Sequence, residues 1–152
     1  MQPFRIMWFE DDKQTVDDIA PSIEGHLKIH GRKLDLQWKD KYSKDFDVTM
    51  FEGECCLVIV DLNLNEGDKG TDLIGLIRKN GAFVEILLYS NNPDELRDHT
   101  EGKNYIEGIY RHATLTGLEN RIKEIIDIAL YREMMVFERL RKFEEGENKG
   151  KA

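Results

Sequence analysis

The chain has 152 residues, 40% of them hydrophobic and 34% charged, with a formal net charge of −8. That length suits one domain with a sizeable core under a well-solvated surface. The acidic balance excludes a surface that wraps a phosphate backbone, so no nucleic-acid partner is expected.

Phe4 to Phe9 (FRIMWF) is a short apolar run stopped by Glu10-Asp11-Asp12, which predicts a buried first strand with an acidic loop at its C-terminal end. Val16, Ile19, Ala20, Ile23 and Leu27 follow helical spacing, with Gly31 as the stop and a kink or break expected at Pro21. Leu34, Leu36 and Trp38 alternate with polar residues and predict a second strand. The polar stretch from Lys39 to Glu54 predicts a short helix. Cys55 to Val60 (CCLVIV), ending at Asp61, predicts a strand covered on both faces. Its adjacent cysteines point to opposite faces and read as two small apolar residues, neither a staple nor a metal knuckle.

Leu62 to Thr71, with Gly67 and Gly70, reads as a loop. Leu73, Ile74, Leu76 and Ile77 predict a helix closed by Asn80-Gly81. Phe83 to Tyr89 predicts a fourth strand, followed by Ser90-Asn91-Asn92-Pro93 and a short helix to about His99. Tyr105 to Tyr110 predicts a weak fifth strand interrupted by Gly108. Leu118 to Phe143 predicts one long amphipathic helix, with a frayed tail from Gly146 to Ala152. Trp8 and Trp38 read as packing residues. His26, His30 and His99 read as surface histidines without ligand spacing.

Five strand–helix alternations with right-handed crossovers predict an α/β fold. The expected architecture is a flavodoxin-like, doubly wound, five-stranded parallel sheet of order 2-1-3-4-5, with an extended C-terminal helix. Residues 1–132 would form the domain, and residues 133–152 the continuation of the last helix and its tail. This topology gathers Glu10-Asp11-Asp12, Asp61 and Ser90 on one rim. Clustered carboxylates repel unless a cation lies among them, and oxygen-only ligands suit Mg²⁺. A carboxylate can also attack phosphorus and form an aspartyl-phosphate.

IMWFEDD, VIVDLNL and ILLYSN, in that order at strand ends, resemble the receiver domains of two-component response regulators from residue 4 to about 132. The resemblance implies that Glu10 and Asp11 hold Mg²⁺, with Asp61 as phosphoacceptor and metal ligand. Asn63 would lend its backbone carbonyl to the metal, and the Ser90 hydroxyl would bond the phosphoryl oxygens. It also implies a histidine kinase or phosphotransfer protein as donor, and a signalling switch rather than an enzyme beyond self-catalysed phosphotransfer and dephosphorylation.

The chain departs from the family in three places. No Pro follows the phosphoacceptor in Leu62-Asn63-Leu64-Asn65-Glu66-Gly67. Arg111-His112-Ala113 stands where the family has a strand-five Lys, so either Arg111 or His112 is the replacement cation. The family's strand-five aromatic has Tyr110 and Gly108 as its neighbours here. A receiver-like binding module that takes no phosphate is the alternative. A haloacid-dehalogenase-type phosphatase is disfavoured, because Asn63 stands where its second Asp would be.

Start-of-chain Met1-Gln2-Pro3-Phe4-Arg5 lacks the features of a signal peptide, and no apolar run spans a bilayer. A cytoplasmic protein without membrane contact is expected, standing alone without an attached output module. Past Tyr131 the last helix stays apolar at Met134, Met135, Val136, Phe137, Leu140 and Phe143. That surface is expected to pair with a second copy or a partner helix through residues 131–143.

Overall fold

The computed structural model describes residues 2–42, 55–64, 69–79, 84–102 and 108–150, the side chains of 55 and 147–150 excepted. In chain order the elements are β1 (Phe4–Phe9), α1 (Lys13–Ile29), β2 (Leu34–Lys39), β3 (Cys55–Asp61), α2 (Gly70–Lys79), β4 (Glu85–Ser90), α3 (Pro93–Thr100), β5 (Tyr110–Ala113) and α4 (Leu118–Gly150). The strands form one parallel sheet of order β2-β1-β3-β4-β5, the order expected of a flavodoxin-like fold. The helix expected between Lys39 and Glu54 falls on 43–54, outside the described residues.

The central strands are apolar along their length because both faces are covered. Successive side chains alternate between two cores. Phe4, Ile6 and Trp8 of β1, Leu57 and Ile59 of β3, and Leu87 and Tyr89 of β4 pack with Val16, Ile23 and Leu27 of α1 and with Leu118, Ile122, Ile125 and Ile126 of α4. Met7, Phe9, Val58, Val60, Ile86 and Leu88 face the other way, onto Leu73, Ile74 and Ile77 of α2 and Leu96 of α3.

Four local expectations are corrected. Pro21 leaves α1 unbroken; Pro21 and Asp17, whose carbonyl loses its partner, are both exposed, so the missing hydrogen bond falls on the solvent side of the helix. The segment read as a loop to Thr71 is helical from Gly70, where a side chain would not fit: an added Cβ would collide with the Asp61 carbonyl oxygen and lie 2.7 Å from Val60 Cγ1. The fifth strand comes later than expected. Gly108 takes φ +80, which breaks an extended run, and the ladder with β4 begins at Tyr110. Residues 105–107 are outside the described set. Finally, α4 continues through Gly150 rather than fraying from Gly146, since a single helix Gly costs only about 1 kcal/mol.

Candidate functional site

β1 and β3 are neighbours, so their C-terminal ends deliver Phe9-Glu10 and Asp61 side by side. Asp12, last of the acidic run, is consumed as the cap of α1: its side chain accepts from the Gln14 backbone N–H at 3.0 Å. Glu10 and Asp11 are left for the rim. Glu10 is buried and fixed through its backbone, its N–H donating to Lys39 O at 2.9 Å and its carbonyl accepting from Trp38 Nε1 at 2.7 Å.

One carboxylate oxygen from each of Glu10, Asp11 and Asp61 lies within 4.8 Å of the others. Asp11 is exposed and Asp61 half-buried. Glu10 Oε2 is buried with no hydrogen-bond partner. Burial, then the closeness of Asp61 and Asp11, pushes Glu10 up to about 9. Burial also raises Asp61, against the lowering effects of Glu10 and of the Asn63 N–H, which donates to Asp61 Oδ1 at 3.2 Å. An orphaned buried oxygen among three hard oxygen donors, with no imidazole or thiolate, fits Mg²⁺.

Sequence reading missed Lys69. Asn63 and Lys69 form an antiparallel bridge, and Gly70 N–H donates to Leu62 O at 2.8 Å, closing the loop that follows Asp61. Lys69 Nζ donates to Asn63 Oδ1 and lies 3.4 Å from Glu95 Oε1 of α3. These contacts hold an ammonium against Asn63, two residues past Asp61, and the Asn63 hydrogen bond, then the Lys69 hydrogen bond and charge, lower Glu95. Nothing local in the sequence marks Lys69, because its setting comes from a tertiary bridge. Asn63 offers its amide oxygen to Lys69 and carries no acidic proton, which further disfavours a phosphatase general acid.

Ser90 is buried at the end of β4, and its Oγ accepts from the Asn92 N–H at 3.1 Å while Asn92 caps α3. Its hydroxyl proton stays available to another acceptor. Neither sequence candidate for the strand-five cation stands beside Ser90: the register pairs Ser90 with Ala113, Tyr89 with His112 and Leu88 with Arg111. Arg111 is exposed over a hollow lined by Pro93, Leu96, Arg97, Thr100 and Glu101. His112 Nε2 sits 2.9 Å from Thr116 O in the loop leading to α4. Tyr110, half-buried on β5, packs on the α1–α4 side of the sheet beneath the Arg121 guanidinium, 5.3 Å from its ring centroid.

No protein-family model matches the chain, and no curated protein matches it. Solved structures do. A response regulator receiver domain from Clostridium thermocellum superposes with TM-score 0.61 at 16% identity, covering 88% of this chain and 98% of that one. The N-terminal domain of a response regulator/sensory box/GGDEF protein from Carboxydothermus hydrogenoformans gives 0.56 at 16%, with 88% and 98% covered. The response regulator PhyR from Brucella abortus gives 0.54 at 19%, covering 88% of this chain and 50% of that one. At these identities the likeness establishes the fold alone: the chain has the fold of receiver domains.

Proposed function

We propose that the protein is a response-regulator receiver that accepts a phosphoryl group on Asp61 with Mg²⁺, from a histidine kinase or phosphotransfer protein, and signals by protein–protein contact. The observation that carries the reading is Glu10 Oε2, a buried carboxylate oxygen without a partner, in a cluster with Asp11 and with Asp61 at the end of β3. Such a cluster is costly unless a cation or a proton compensates it.

In this reading Glu10, Asp11, Asp61 and the Asn63 carbonyl would hold Mg²⁺, and the ion would supply positive charge to phosphoryl oxygens and favour the ionised form of Asp61. An Asp61 oxygen attacks phosphorus in line. The new O–P bond forms as the donor's P–N bond breaks, and the departing imidazole nitrogen takes up a proton. The Ser90 hydroxyl donates to a phosphoryl oxygen. Lys69, held by Asn63 and Glu95, supplies the ammonium that the family draws from strand five. Arg111 stays in the reading as a second, exposed cation on the β5 side.

The test is incubation with acetyl phosphate and Mg²⁺, followed by intact mass. One phosphoryl increment is expected, abolished by Asp61→Asn and by chelation. No adduct at any pH would leave the alternative, a receiver-like module that binds without phosphate, which the small Ala113 beside Ser90 favours.

A further inference from the structure

Away from the rim, on the α1–α4 side of the sheet, three ligand-type side chains converge. His26 and His30 are four residues apart near the end of α1, and Asp127 comes from α4. The histidines are at the surface, as read from the sequence, but the reading that they lack ligand spacing is corrected. A four-residue step puts two imidazoles on one helix face, the spacing by which a helix presents a histidine pair to one metal ion.

His26 Nε2 lies 2.7 Å from Asp127 Oδ1, and His30 Nε2 lies 3.5 Å from the same oxygen. The two rings meet edge to face with centroids 5.4 Å apart. Ligand atoms bound to one tetrahedral Zn²⁺ at its usual bond lengths sit about 3.3 Å apart. The His30–Asp127 separation therefore already fits, and the His26–Asp127 contact opens by roughly half an ångström when a metal replaces the hydrogen bond. His30 caps α1, so small backbone adjustments there disturb no helix interior.

We propose that His26, His30 and Asp127 form a binding site for a divalent transition cation of the Zn²⁺ class, with water completing its coordination. Two imidazoles and a carboxylate select Zn²⁺, Ni²⁺ or Cu²⁺ over Mg²⁺, which takes oxygen ligands. The residue after the first histidine is Leu27, buried in the core, so the pair lacks the adjacent glutamate base of a hydrolytic helix motif. The site binds; it does not hydrolyse. It ties the end of α1 to α4 one turn before the exposed part of α4, and so clamps the root of that extension. Arg32, next along from the clamp, already pairs with Glu133 at 2.8 Å.

The test is a calorimetric titration of the tag-free full chain with Zn²⁺, in Mg²⁺ excess so that the acidic rim is saturated. One equivalent binding at micromolar concentration is expected, weakened on the order of tenfold or more by His30→Ala and by Asp127→Asn. Asp61→Asn should leave it unchanged. Asp127 is exposed, so its variant keeps the test valid if His30→Ala folds poorly. Undiminished binding in both variants, loss of binding in Asp61→Asn, or no binding below millimolar Zn²⁺ would overturn the site.

Discussion

Glu10 in the folded protein keeps its proton up to about pH 9, whereas in an unfolded chain it releases it near 4.5. Without Mg²⁺ the folded state thus binds more protons than the unfolded state across that window, and stability falls as pH rises through it. Urea midpoints in chelator at about pH 5.5 and about pH 8 should show the decline, and Glu10→Gln should flatten it. An unchanged slope in the variant would remove Glu10 from the account. Lys69 is the second residue with a sharp expectation. Lys69→Ala should slow adduct formation from acetyl phosphate by roughly tenfold to a hundredfold, while Mg²⁺ affinity stays or rises as a nearby positive charge is removed. An unaffected rate would return the cationic role to Arg111. Asp61, Glu10 and Asp11 were legible because an apolar run that ends in acid marks a strand end. Lys69 and the His26–His30–Asp127 group were not, because they depend on which loops and helices the fold brings together.

At the scale of elements, β1, β3 and β4 were readable from continuous apolar runs, and α1 and α4 from their periodicity. β5 was misplaced because its residues Tyr110-Arg111-His112-Ala113 have no strong apolar signal. Its position is set by pairing with β4 and by the turn at Gly108. The start of α2 was hidden for a different reason: Gly70 looked like loop punctuation, and its actual role is close approach to β3. Gly70→Ala forces a Cβ against the Asp61 carbonyl and Val60. The substitution should therefore cost about 1–3 kcal/mol in urea unfolding, with reduced phosphoryl uptake because the displaced backbone is that of Asp61. A neutral effect on both would show that α2 yields freely.

For the whole molecule, alternation and handedness gave a parallel doubly wound sheet, the flavodoxin-like pattern supplied its strand order, and that order creates the rim where β1, β3 and β4 end together. The helix beyond that sheet carries a different message. Ion pairs of Arg32 with Glu133 and of Glu85 with Arg132 fasten α4 to the body. Past them Phe137 is 69% exposed and Phe143 66%, with Met134, Val136 and Leu140 also exposed. Their charged neighbours Glu138, Arg139, Arg141 and Lys142 include both signs, as self-pairing of two such helices requires. The second-copy reading of this surface predicts a dimer by sedimentation that Phe137→Glu with Leu140→Glu converts to monomer. A monomeric parent at tens of micromolar would turn the search to a different partner helix.

The proposed switch turns on the carboxylate of Asp61. An acyl phosphate is reduced by borohydride to an alcohol, so the phosphorylated protein, treated and digested, should carry homoserine at position 61 and at no other aspartate. Recovery of intact Asp61 from protein that bears the phosphoryl increment would contradict the account.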